Sequence, residues 1–346
     1  MSETALYRKY RPQKFSDVLG QDHIVKVLEA QIEQDKIAHA YIFSGSRGTG
    51  KTSVARIFAR EIGTSANDIL EIDAASNTGV DNIRSLNESV NTLPFDSKYK
   101  VYILDEAHML SKGAWNALLK TLEEPPAHVI FIMATTETEK IPETVISRCQ
   151  NFSFKKPTQK VLKDVVTSIT KKEGFGLEPA SADLIALLGD GSFRDAQSIL
   201  QKVMGSSKDK KISLAEVVLV TGAPKGEMIN DFIRAIDEGD LELGLKSISQ
   251  AVESSIDLTL YFKLVLHKMR AILLLRNLKS SEENIKEEMT DTDFSLLKSL
   301  AEKKPSKINS DTLLTLLNFY DLVNKAYLPE MVLELALSKI LGQNVA

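Results

Sequence analysis

A single cysteine, Cys149, and a single tryptophan, Trp115, stand among 346 residues. One cysteine excludes an intrachain disulfide and any multi-cysteine metal site. No apolar stretch approaches the ~18 residues that mark a membrane-spanning helix. The amino terminus, Met1-Ser2-Glu3-Thr4, lacks the basic-then-apolar pattern of a secretory signal. No membrane association and a cytoplasmic location are therefore expected. Excess charge of one sign is also missing, since the formal net charge is only −4. That balance argues against a freestanding basic nucleic-acid binder and leaves room for local basic faces inside an assembly. Internal repeats and low-complexity tracts are absent too, so a solenoid or a disordered chain is not indicated. The length suits two or three domains, each with its own core.

What is present is more specific. Gly45-Ser46-Arg47-Gly48-Thr49-Gly50-Lys51-Thr52 fits G-x-x-x-x-G-K-[ST], a loop whose backbone amides and lysine hold nucleotide phosphates. It lies between the apolar run Ala40–Phe43 and the helical apolar spacing of Val54–Ile62, so a strand enters it and a helix leaves it. The helix N-terminus, from Ser53 onward, adds favourable dipole charge toward an anion. Gly45, Gly48 and Gly50 let the backbone curl around the phosphates without Cβ clashes. Lys51 is expected to reach the β- and γ-phosphates and Thr52 to hold Mg²⁺.

The second element is Val101-Tyr102-Ile103-Leu104-Asp105-Glu106, an apolar run ending in two acids. It reads as a buried parallel strand with its carboxylates at the end where open α/β sheets bind ligands. Asp105 is assigned to the Mg²⁺ shell and Glu106 to directing the attacking water. A tight turn followed by a helix cap would account for the glycines but for neither Lys51 nor Glu106. ATP or GTP binding is the reading.

Further strand-like runs fall at Ile69–Asp73, Val129–Thr135 and Phe152–Phe154, with helical patterns at Val80–Val90 and Ala114–Leu122. Alternating β and α elements predict a parallel sheet covered on both faces. Asp81 and Asn82 read as caps of one helix and Ser111 as the cap of another. After about Lys156 only amphipathic helices are expected, separated at Gly189, Gly191, Gly205 and the Gly222–Gly226 stretch. Lys279–Asp291 is polar and acidic and reads as a loop or a solvated helix end.

Several segments together resemble the ATPase subunit of bacterial sliding-clamp loaders, the gamma/tau family of DNA polymerase III. They are the box Tyr10–Gln21, the phosphate loop, Glu71–Ser76, Asp105–Ser111, Asn116–Pro126, Ala134–Thr136, Ser147-Arg148-Cys149 and Gly191–Ala196. The resemblance implies an α/β P-loop AAA+ module with a five-stranded parallel sheet over residues 1–155. A helical lid over 156–222 and an all-α oligomerising collar over 223–346 would follow. It implies ATP and Mg²⁺ as ligands. Val18 and Leu19 would line the adenine pocket, Thr135 or Thr136 would be a polar sensor of the γ-phosphate or the water, and Arg194 would be the lid sensor. Arg148 would be an arginine finger reaching the neighbouring subunit's site. Implied partners are other loader subunits in a hetero-oligomer, a pentamer with several copies of this chain, together with the sliding clamp and primer–template DNA.

Each of these residues also has a plainer reading: Thr135 and Thr136 as strand-end polar groups, Arg148 as a surface cation, Arg194 as half of an ion pair with Asp195. His108 reads as a packing or supporting histidine and Trp115 as core. The family's four-cysteine zinc module is replaced by Gly63–Asp68, so no zinc is expected. Basic residues that relatives carry near Asn77 and Gly79 are missing, whereas Lys120 matches a DNA-facing position. Leu93-Pro94-Phe95 is either a clamp contact or a buried loop anchor. The family's longer form carries extra domains after the collar, and none is expected within these 346 residues. Two alternatives remain at this point: a DEAH-type helicase, and a non-hydrolysing subunit of the same assembly.

Overall fold

The computed structural model describes residues 4–278, 281–287 and 289–342. Its first sheet contains β1 (Ala40–Ser44), β2 (Ile69–Asp73), β3 (Lys100–Asp105), β4 (Val129–Thr135) and β5 (Gln150–Ser153). Their order is β2-β3-β4-β1-β5 and every pairing is parallel. β1, β3 and β4 are central, and the buried apolar runs of their sequences follow from cover on both faces. One core cluster gathers Phe43, Phe58, Ile103 and Ile132; the other gathers Leu104, Leu118, Trp115 and Phe131.

Three local expectations need correction. The helix Val80–Val90 is capped by Gly79, with no side-chain cap, and Asp81 and Asn82 sit inside its first turn. Asp81 there favours the helix dipole instead and pairs with Arg84 at 3.1 Å. The separation expected at Gly205 falls one residue later, since Gly205 is the penultimate residue of the helix Phe193–Ser206. The last strand begins at Gln150, because as an edge strand it exposes Gln150, Asn151 and Ser153 and has no continuous apolar signature. Ser111 does cap the helix Lys112–Glu123, accepting from the Ala114 amide at 3.1 Å.

Beyond residue 156 the described residues are helical, with one addition among them: a two-residue parallel pair, β6 (Gly176–Leu177) with β7 (Lys211–Ile212). Strands this short leave no periodic trace. Contacts divide the molecule into two compact units, Met1–Ile169 with Ala186–Gln201, and Thr170–Ile185 with Lys202–Ala346. The second unit contains the helices Gly226–Glu238, Leu241–Glu253, Leu258–Asn277, Asp291–Glu302, Ser310–Val323 and Pro329–Leu341. Phe232, Phe262, Ile272, Leu316 and Leu333 form its core. Within it Lys268 bonds Asp293 at 2.7 Å and Asn230 at 2.8 Å, a buried polar knot tying three helices. Of the stretch Lys279–Asp291, residues 279, 280 and 288 lie outside the described residues. Glu282–Glu287 is a short helix whose Ile285 is buried against the core, so this part is anchored rather than only solvated.

Candidate active site

The phosphate loop leaves the carboxyl end of β1 and enters the helix Lys51–Glu61 through Gly50. Gly45, Gly48 and Gly50 have φ of 143°, 73° and 99°, a region that side chains disfavour. A Cβ on Gly45 would lie 2.5 Å from the Phe154 carbonyl oxygen. Thr49 is buried, its hydroxyl donating to Ser46 O at 2.9 Å, which tightens the loop; Arg47 is exposed. Lys51 is buried as well, and its Nζ donates to Gly45 O at 2.8 Å and Ser46 O at 2.9 Å. Burial pushes its ammonium below the ordinary lysine value, with Glu106 and Asp105 acting the other way.

Thr52 Oγ1 donates to Asp105 Oδ2 at 3.0 Å, joining the loop to the end of β3. Glu106 follows with φ of 49°, a left-handed conformation that turns its side chain out of the strand direction. Its carboxylate accepts from Thr136 Oγ1 at 3.4 Å, at the end of the neighbouring β4. The sheet order therefore brings Lys51, Thr52, Asp105, Glu106, Thr135 and Thr136 to one edge. Three glycines free to curl, a buried ammonium and a hydroxyl–carboxylate pair form a donor set that fits a triphosphate with a divalent ion.

Arg194 is held near the same loop. The amide of Phe193 donates to Gly48 O at 3.0 Å, so the turn preceding the Arg194 helix rests on the loop. The Arg194 guanidinium lies 4.9 Å from the centre of the Tyr7 ring. Hydrogen bonding to Arg194, with help from Arg8, lowers the Tyr7 hydroxyl's pKa. Val18 packs against the core near Phe15, while Leu19 is 46% exposed. Gln21, fully buried, fixes this segment by donating to Lys155 O at 2.8 Å and accepting from the Lys155 amide at 3.2 Å.

Arg148 is not brought to this edge. It precedes Gln150, which pairs with Tyr41 on β1, whereas the loop begins at Gly45. Strand rise puts about 13 Å between those levels. Arg148 sits at the amino end of the sheet, bonded to Thr144 O at 2.7 Å and Glu123 at 2.8 Å. Among residues that pattern alone did not single out, Tyr7, Ser192 and Glu137 touch the site's members. Only the nearness of Glu137 to Thr135-Thr136 hinted at it. The His108 side chain, 7% exposed, lies beside Thr135, Glu106 and Glu137, in keeping with a supporting role. Trp115 is buried, as expected of a core residue.

Strand order, loop and acid pair together define a P-loop module of the AAA+ class. A solved structure of RuvB from Thermotoga maritima, described as a Holliday junction branch migration motor, shares the fold with a TM-score of 0.53. It covers 72% of this chain and 86% of its own at 20% identity, and so speaks for the fold alone. A family profile described as DNA polymerase III, delta subunit matches residues 20–75 and 62–158. The DNA polymerase III subunit tau of Bacillus subtilis is 38% identical over 98% of this chain and 63% of its own length. The gamma/tau subunit of Mycoplasma pneumoniae is 43% identical over 68% of this chain and 38% of its own. Over the matched length the chain belongs to the gamma/tau family of DNA polymerase III subunits. It spans less than two thirds of these relatives' lengths. No helix among the described residues is long and apolar enough to cross a membrane.

Proposed function

We propose that this chain is a motor subunit of a DNA polymerase III clamp loader, using ATP to load a sliding clamp onto primer–template DNA. The observation that carries the reading is the intact set Lys51, Thr52, Asp105 and Glu106 joined across two strand ends, with Thr52 and Asp105 oxygens 3.0 Å apart. Lys51 and the loop amides would hold the phosphates. Val18 and Leu19 would face the adenine, and Ser46, Arg47, Thr49 and Ser53 would shape the loop around the anion. Mg²⁺, held by Thr52 and Asp105, would neutralise phosphate charge. Glu106 would take a proton from the water that attacks the γ-phosphorus as its bond to the leaving ADP oxygen breaks. Thr135 and Thr136 would orient that water and the γ-phosphate, and Arg194 would report the phosphate to the lid.

Arg148 would serve the next protomer's site. Its position at the far end of the sheet supports action across an interface. Its pair with Glu123 is half-exposed and worth about 0–1 kcal/mol, a small restraint on redeployment. The collar exposes Leu314, Leu317, Tyr327, Met331 and Leu335, which supports assembly with other subunits. Leu93 and Phe95 are 78% and 83% exposed, which overturns the buried-anchor reading and favours the clamp contact. Lys120 is exposed and would face DNA.

The helical character after residue 156 disfavours a two-domain DEAH helicase, and the complete loop disfavours a non-hydrolysing subunit. The test is ATP turnover by the chain reconstituted with clamp, partner subunits and primer–template DNA. Turnover stimulated by clamp and DNA is expected, and ATP binding without turnover would overturn the motor assignment.

A further inference from the structure

Leu93 and Phe95 flank Pro94 on the turn after the helix Val80–Val90, and both are largely exposed. Folding gains little from side chains left in water, yet the backbone that carries them is fixed on both sides. Before the turn, Lys100 Nζ, buried at the start of β3, donates to Ser89 O at 2.9 Å and Thr92 Oγ1 at 2.7 Å. His128 Nε2 donates to Val90 O at 3.1 Å. Within and after it, the Asp68 carboxylate, 2% exposed, accepts from the Phe95 amide at 2.6 Å and the Asp96 amide at 2.9 Å. Ser65 completes this clasp, its hydroxyl donating to Asp68 at 3.1 Å and its amide to Ser97 Oγ at 2.7 Å. We propose that Asp68 and Lys100 are positioning residues that hold Leu93 and Phe95 as a preformed apolar plug for a cleft on the sliding clamp. This rests on the clamp contact read above.

Burying a charge is costly unless it is hydrogen-bonded. Both charges here direct their bonds at the turn and its stem. Lys100 meets oxygens at the carboxyl end of a helix, where the dipole also favours a cation. Asp68 meets two amides that lie outside any helix or strand. Between these anchors Pro94 removes a further freedom by fixing its own φ. Ordering one backbone residue on binding is equivalent to a factor of about 5–30 in affinity. A turn already fixed on folding therefore binds tighter than the same turn fixed by its partner. Asp96 is the one charged residue from Asn91 to Ser97, and its carboxylate accepts from Asn67 at 3.3 Å. The plug is thus apolar and carries no cation, which suits an apolar cleft on a protein and not a phosphate backbone.

The experiment titrates the full chain with the purified sliding clamp and reads Kd. Asp68→Ala should weaken binding about 5–30-fold, and Lys100→Met, which keeps the apolar stem, should weaken it as well. Leu93→Ala with Phe95→Ala is the reference. Adding Asp68→Ala to that pair should cost no more than about twofold, since a loosened turn without its plug has nothing left to misplace. Amide exchange at Phe95 and Asp96 should be slow in the wild type, free or bound; in Asp68→Ala it should be fast when free and slowed by the clamp. Equal losses from Asp68→Ala with and without the plug side chains would overturn the proposal. So would unchanged affinity in Asp68→Ala and Lys100→Met while the reference pair binds weakly. Unchanged affinity in the reference pair would refute the clamp contact itself, and the proposal with it. Affinities are compared at equal folded fraction from thermal melts, and a loss that vanishes on that scale also counts against the proposal.

Discussion

Replacing Gly48 by alanine tests how the phosphate loop is joined to the turn that carries Arg194. At φ of 73° the new Cβ enters the left-handed region, costing about 1–2 kcal/mol. It would also overlap Ser192 Oγ and come within 2.9 Å of Ser192 Cβ, an overpacking worth about 1–3 kcal/mol. The single change should therefore destabilise by about 2–5 kcal/mol. Ser192→Gly removes the two nearest atoms and leaves Ser192 Cα at 3.3 Å. Ser192 Oγ caps the Asp195 amide at 3.2 Å, and glycine is a tolerable cap, so this change alone should cost only a few tenths of a kcal/mol. The double variant should then recover about 1–3 kcal/mol and retain the backbone cost. Trp115, the only tryptophan and buried in the same unit, reports the unfolding by fluorescence in a denaturant series. Strictly additive costs would refute the proposed steric link between loop and turn.

Three further outcomes follow from particular contacts. Burial opposes the Asp68 charge, but the Phe95 and Asp96 amides and the Ser97 and Ser65 hydroxyls outweigh it and hold the carboxyl at about 2. Being below the ordinary value of 3.8, it contributes stability above that pH and loses it as pH falls toward 2. The stability gap between wild type and Asp68→Asn, read from unfolding midpoints, should therefore shrink from pH 5 to pH 2.5, and a constant gap would contradict the assignment. In the collar, Lys268→Met should destabilise by about 3–5 kcal/mol by stranding Asp293, whereas Lys268→Met with Asp293→Leu should regain most of that loss in calorimetry. Leu93→Asp with Phe95→Asp should weaken clamp binding at least tenfold in a pull-down titration while leaving the melting temperature within a degree or so, since both side chains are already solvated.

Much of the first unit was legible because its central strands are continuous apolar runs. β2 and β4 fall where the pattern put them, and Lys51, Thr52, Asp105 and Glu106 announce themselves by motif. The start of β5 was missed, the pattern marking only Phe152–Phe154, because an edge strand need not be apolar, and Asp81 misled because an acid favours a first turn as well as a cap. The coupling of His108 with Glu137 depends on β3 and β4 being neighbours, which no local pattern states. Nor could spacing alone tell that Arg148 lies at the opposite end of the sheet from the loop. That fact follows only from strand register.

The claim that the site is completed from across an interface is tested most directly by mixing two inactive proteins. Arg148→Ala lacks the finger and keeps Glu106; Glu106→Gln lacks the base and keeps Arg148. Each alone should lose about 10²-fold or more in turnover. Co-assembled with clamp and DNA, they create interfaces where an intact Arg148 faces an intact Glu106. The account expects ATP hydrolysis to return in the mixture to a sizeable fraction of the wild-type rate. A mixture as inactive as its components, despite verified co-assembly, would contradict it.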